Sequence, residues 1–140
     1  MSDPIRELPR LLRSLRPELQ PGVWAYATCA DEAQVARSKP LALFREAEAI
    51  TVVAREEDAR AAGLEPLFRC AWIALTVHSD LEAIGMTAAV AAALAERGIA
   101  CNIVAAAYHD HLFVPIERAG DAMAALQALQ GSAAMRDAAE

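Results

Sequence analysis

The chain is nearly devoid of lysine: Lys39 stands alone beside twelve arginines, which are dispersed rather than clustered. Against them are 19 acidic side chains, giving a formal net charge of −6 over 140 residues. That balance argues against a nucleic-acid surface or an anionic membrane surface. Cysteine is also scarce. Cys29, Cys70 and Cys101 leave one thiol over in any disulfide scheme, and no C-x-x-C or C-x-x-H spacing occurs. Three reduced, buried thiols are expected, with neither a disulfide nor a zinc site. Aromatics contribute only 5% of residues within a hydrophobic share of 56%, so alanine and aliphatics must fill the core. Long apolar runs are missing. The longest uncharged run near the middle, Ala83 to Ala95, has 13 residues and is too short to span a bilayer. The opening MSDPIRELPR has no apolar centre for a signal peptide, so a cytoplasmic protein is expected. There is no glycine-rich phosphate loop, nucleotide fingerprint or H-E-x-x-H motif, and no cofactor is expected.

What is present is a regular alternation of strands and helices. Leu8, Leu11, Leu12 and Leu15 fall at i, i+3, i+4 and i+7, predicting an N-terminal amphipathic helix that Asp3 and Pro4 would start and that Pro17 and Pro21-Gly22 would end. Val23 to Thr28 reads as a strand with Trp24 and Tyr26 on one face. Residues 29–40 read as irregular. Leu41–Arg45 and Ile50–Arg55 form the arms of a hairpin, followed by a short helix over Glu56-Glu57-Asp58 that stops at Gly63. Leu67 to Val77 is a long strand-forming run. Ser79 to Glu82 fits a capping box, yet a start there would bury Gly85 inside the helix at a cost of roughly 1 kcal/mol, so the helix is placed from Gly85 to Gly98. Its close-packing face is read as Ala88, Ala91, Leu94 and Ala95. A second strand pair, Ile99–Ala106 and His111–Ile116, turns at Tyr108-His109-Asp110. A last helix runs from Glu117 to Gln130, turns Ala119, Met123, Leu126 and Leu129 inward and stops at Gly131.

A weak internal repeat relates the segment starting at Ile50 to that starting at Leu112, each a hairpin arm leading into a helix. Both halves therefore read as β-x-ββα units, the first with its crossover shortened to a loop. The fold class is α+β: a ferredoxin-like sandwich with antiparallel sheets and helices on one face. The expected division is a degenerate subdomain over 1–66, a second over 67–131 and a flexible tail over 132–140.

Polar residues gather at the joints between these elements. The end of the Leu67–Val77 strand should lie beside the start of the His111 strand, bringing His78 near His111, with Asn102 and Tyr108 adjoining. The helix starting at Gly85 points its free amides at the same region, an arrangement suited to a carboxylate or phosphate. A metal centre from His78, His109 and His111 is the sharper alternative, but Asp110 falls in the turn and no second metal motif supports it. Ser79 reads as a cap rather than a nucleophile. Enzymatic machinery is not evident.

The stretches L75-T-V-H-S-D-L-E-A-I-G-M-T-A-A and G98-I-A-C-N-I-V-A-A-A-Y-H-D-H-L-F-V-P resemble the ACT-domain superfamily, and more closely its stand-alone bacterial tandem members. The resemblance extends loosely to nearly the whole chain, including F44-R-E. It implies small-molecule regulatory modules that bind amino acids between ACT units. The ligand loop would then be His78, Ser79, Asp80, Ile84, Gly85, Met86 and Thr87, with Gly85 at the approach position. Asn102 and Ile103 match an Asn-Ile pair of aspartokinase regulatory domains, and Tyr108 to His111 matches a segment of amino-acid-sensing relatives. The usual D-x-P-G before the helix is replaced by Leu81-Glu82-Ala83-Ile84-Gly85, without the proline. No catalytic domain is expected. The implied partners are an amino-acid effector, a regulated protein in trans and further copies of the chain. A structural or oligomerisation module without ligand is the alternative.

Overall fold

The structure is a computed structural model that describes residues 3–139. The chain order is α1 (Leu8–Arg13), β1 (Pro17–Leu19), β2 (Trp24–Cys29), α2 (Glu32–Ser38), β3 (Ala42–Arg45), β4 (Ile50–Arg55), α3 (Glu56–Ala61), β5 (Phe68–Leu75), α4 (Met86–Glu96), β6 (Asn102–Ala105), β7 (Asp110–Pro115) and α5 (Ala119–Ala139). A 3-10 turn, Ile116–Arg118, links β7 to α5. The two β-x-ββα repeats are therefore β2-α2-β3-β4-α3 and β5-α4-β6-β7-α5.

Contacts divide the chain into two units: Pro21–Ala71, and the residues up to Gln20 together with those from Trp72 onward. The residues before β2 thus group with those after Ala71. The reason is local pairing: β1 runs antiparallel to the second half of β5 (Pro17↔Leu75, Leu19↔Ile73), and α1 packs on α5. Within Pro21–Ala71 the first residues of β5 pair antiparallel with β2 (Trp24↔Cys70, Tyr26↔Phe68).

Within Pro21–Ala71 the strands run β3-β4-β2-β5, with every printed pairing antiparallel. Alternation sends Ala27 and Cys29 of β2 and Val52 of β4 to one face, where Val35 of α2, Ala59 of α3, Ala62 and Leu64 close the core. The segment 29–40, expected to be irregular, contains helix α2. Asp31 caps it, accepting from the Gln34 N–H at 2.9 Å, while the Gln34 side chain accepts from the Ala30 N–H at 2.7 Å. That reciprocal pair satisfies amides at a helix start. The crossover of the first repeat is thus a helix and not a loop.

In the other unit the order is β5-β7-β6, and β6 pairs antiparallel with β7 from Asn102↔Phe113 to Ala105↔Asp110. Leu112 and Val114 are fully buried, as are Val90 and Leu94 of α4 and Ala122 and Leu126 of α5. Each such valine or leucine contributes about 1.5–3 kcal/mol relative to exposure. The buried side of α4 is Met86, Val90 and Leu94. This corrects the expected face, because Ala88, Ala91 and Ala95 are exposed. Helix α1 begins at Leu8 with Pro9 in its first turn, so Asp3 does not cap it. Helix α5 passes through Gly131 and continues to Ala139, correcting the expected stop. Ala133 is buried there, and Asp137 pairs with Arg13 at 3.5 Å.

Candidate functional site

The region singled out by the sequence lies between the end of β5 and the start of α4, facing the β6–β7 hairpin. Helix α4 starts where expected. Gly85 is its N-cap at φ +100°, a left-handed conformation that favours glycine, and no side chain caps the helix. The first-turn amides of Met86, Thr87 and Ala88 have no intrahelical acceptor, which is general to helix starts. Thr87 and Ile84 are exposed, Ile84 to 86%, whereas Met86 turns inward.

Three contacts join the loop to the hairpin. The His78 and Tyr108 rings lie 5.3 Å apart, and the Tyr108 and His109 rings 6.4 Å apart. His109 Nδ1 lies 3.4 Å from the carbonyl oxygen of Val77. The Ser79 hydroxyl donates to Asp110 Oδ1 at 3.4 Å, with both residues buried. Ser79 is therefore not a helix cap. Asp110 is not in the turn either: it opens β7 opposite Ala105, while the turn is closed by the Ala106 N–H donating to the His109 carbonyl at 3.0 Å.

Burial pushes the Asp110 carboxyl above its ordinary range, against the opposing pull of Ser79, His111 and His109. Asp80 moves the other way. The Glu82 N–H donating to Asp80 Oδ1 at 2.7 Å lowers it most, and the Arg6 guanidinium at 2.9 Å adds to the effect.

Other expected members lie along β6 and β7. His111 follows Asp110 on β7. Its Nδ1 accepts from the Trp72 indole N–H at 3.0 Å, farther down β5. Accepting at Nδ1 requires the neutral ring, and burial likewise holds the His111 pKa below its ordinary value. Asn102 and Ile103 pair with Phe113 and Leu112. That places Asn102 three residues along β6 from the hairpin end, about 10 Å at the usual strand rise. Among the described residues no group of three His, Cys, Asp or Glu side chains is arranged to hold a metal ion.

Sequence reasoning missed three participants. Arg6 bonds to Asp80 Oδ2 at 2.9 Å and to Glu82 Oε2 at 2.6 Å. Ile5 forms a parallel bridge with Ser79. Leu8 fills the bare side of Gly85: a Cβ built there would lie 3.0 Å from Leu8 Cδ2. No local pattern signals these contacts, because Arg6 and Asp80 are 74 residues apart in sequence.

Two ACT-domain family profiles match in tandem, over residues 3–71 and 67–128. The chain belongs to the ACT-domain family. A protein of unknown function from Vibrio cholerae, named as a possible transport protein, is 43% identical to it. That likeness covers 88% of this chain and 95% of that one, with a TM-score of 0.79. The ligand-free regulatory subunit of aspartate kinase from Thermus thermophilus shares the fold at 12% identity (83% of this chain, 97% of that one, TM-score 0.63). An Agrobacterium tumefaciens protein does so at 15% identity (81% and 87%, TM-score 0.59). No curated protein matches the chain. ACT domains are typically small-molecule-binding regulatory modules and often oligomerise. Among the described residues no helix is long and apolar enough to cross a membrane.

Proposed function

We propose that this ACT protein is a non-catalytic amino-acid-binding module that regulates a separate protein. The observation that carries this reading is the start of α4, where an uncapped eleven-residue helix begins on Gly85 at φ +100°. Its first-turn amides suit a ligand carboxylate, an interaction worth about 0.3–1 kcal/mol when exposed and up to about 2 kcal/mol when partly buried. His78, Asp80 and Tyr108 line the adjoining loop and hairpin and are the groups that would read the rest of the ligand. Asn102, Ile103 and His111 belong to the same reading only if a ligand extends along β6 and β7. The two ACT units are taken to divide near residue 66, and a cytoplasmic setting fits the net charge of −6 and the three free thiols.

The test is a thermal-shift screen of the twenty protein amino acids against the wild type and Thr87→Glu. Thr87 is exposed in the first turn of α4, so a glutamate there complements the helix dipole and preserves the fold. It also repels a carboxylate. The expected result is a stabilising shift with one or a few amino acids that Thr87→Glu abolishes; an undiminished shift would remove the helix start from the site.

A second reading is favoured by the exposed apolar side chains of the same region: Leu81 at 65%, Ile84 at 86% and Tyr108 at 49%. Such a patch suits assembly with another copy or with the regulated protein. Sedimentation of the wild type against Ile84→Asp tests it, since an assembly surface there would give a size that falls with the substitution.

A further inference from the structure

The β5–α4 loop is bonded to the N-terminal segment along its first half. The Thr76 N–H and hydroxyl both donate to the Arg16 carbonyl, at 3.2 and 2.8 Å, and the Val77 N–H donates to the Leu15 carbonyl at 3.3 Å. Farther on, the Ile5 N–H donates to the His78 carbonyl at 2.8 Å, and the Asp80 N–H donates to the Ile5 carbonyl at 2.9 Å. Arg6 adds its two ion pairs to Asp80 and Glu82, and Leu8 sits on Gly85.

The two ends of this attachment differ in how firmly they are held. At the Leu15–Arg16 end, Leu11, Leu12 and Leu15 are buried. Arg16, in the left-handed region at φ +49°, is fixed by its N–H donating to Gln130 Oε1 at 3.0 Å, and Gln130 Nε2 donates in turn to the Arg13 carbonyl. The Ile5–Leu8 end lies on the surface. Ile5 and Leu8 are only half-buried, and the Arg6 side chain is 60% exposed. Leu8 also borders a hollow of about 240 Å³ formed with Leu12, Ala133 and Arg136, so its far side is loosely packed. A half-buried segment held at the surface by an exposed arginine opens at lower free energy than the buried leucine end, while the rest of the fold persists.

We infer that residues 5–8 are a releasable strap, and that closure of the strap and occupancy of the α4 start by an effector are mutually exclusive. This rests on the reading of that region as the effector site. With Leu8 seated against Gly85, no ligand atom has room on that side of the glycine. Arg6, bonded to both acidic side chains of the loop, holds the strap shut. An effector then binds the open state only, and its apparent affinity is reduced by the fraction of molecules that are closed.

Amide hydrogen exchange on the full chain and on Arg6→Ala tests the release. The expected result is that the Ile5 and Asp80 amides exchange together and faster than those of Thr76 and Val77. Arg6→Ala should accelerate the first pair several-fold and leave the second unchanged. Equal rates for the two pairs, or no response to Arg6→Ala, would overturn the strap. The same twenty amino acids are then titrated against both proteins. An amino acid that binds Arg6→Ala several-fold more tightly than the wild type supports mutual exclusion. One that binds both equally overturns the strap while leaving the effector site standing. No binding to either overturns the effector reading and the exclusion built on it, whatever the exchange rates show.

Discussion

Replacing Gly85 with alanine should destabilise the protein through two separable effects. The first is backbone conformation. A residue with a Cβ pays about 1–2 kcal/mol in the left-handed region, and φ +100° lies outside its narrow favourable basin. The second is steric: the new methyl would meet Leu8 Cδ2 at 3.0 Å, inside the usual 3.5–4.0 Å carbon contact. Leu8 is half-buried and its tip can yield, so this part is worth at most about 1 kcal/mol. The sum is about 1–3 kcal/mol. Leu8→Ala alone should cost about 1 kcal/mol, because only part of its apolar surface is removed from water. In the double variant the steric part vanishes, leaving a coupling of up to about 1 kcal/mol. Urea denaturation with linear extrapolation reads all four corners of the cycle, and the melting temperature should follow by about 2–4 °C per kcal/mol. A Gly85→Ala variant within about 0.5 kcal/mol of the wild type would refute the backbone argument. Zero coupling would refute the seating of Leu8 on Gly85.

Asp31→Ala removes the cap of α2 and should cost about 1 kcal/mol. The amides of α2 should then exchange faster in the same protein, and unchanged stability would contradict the assigned cap. Asp110 supplies a pH test. Burial raises its folded pKa above the unfolded value of 3.8, so its stabilising contribution is complete below 3.8 and is lost as pH rises through the folded pKa. Asp110→Asn removes that loss, so its stability relative to the wild type should improve as the pH rises above 3.8 in denaturant melts. A difference that does not change with pH would mean that Asp110 is not held in a desolvating environment.

The parts of the fold that were legible are those whose signal is local. The runs Trp24–Cys29, Ile50–Arg55 and Phe68–Leu75 are rich in β-branched and aromatic residues, and glycine marked the start of α4 at Gly85 and its end at Gly98. Strand β1 was not legible, since three residues beginning with Pro17 carry no alternation and only pairing with β5 makes them a strand. Helix α2 hid in a polar stretch, although the Asp31…Gln34 spacing is a usable start signal. The inward face of α4 was misread because alanine suits either side of a helix, and Met86, Val90 and Leu94 decide the matter. Gly131 reads as a stop, but one glycine in an alanine-rich helix costs only about 1 kcal/mol. The burial of Ala133 beyond it helps carry α5 onward.

For the candidate site, the loop and Gly85 could be found, whereas its partners could not. Ile5, Arg6 and Leu8 reach it through tertiary contacts, and the hydrogen bond from Trp72 to His111 is likewise one that topology alone did not specify.

The central claim, that the α4 start receives the carboxylate of an amino acid, is tested most directly by following backbone amide resonances while each of the twenty amino acids is titrated into the protein. The account predicts that at least one of them shifts the Met86, Thr87 and Ala88 amides in a saturable manner and leaves the amides of α2 unmoved. Saturable binding whose shifts fall elsewhere, or twenty titrations that leave those three amides in place, would contradict it.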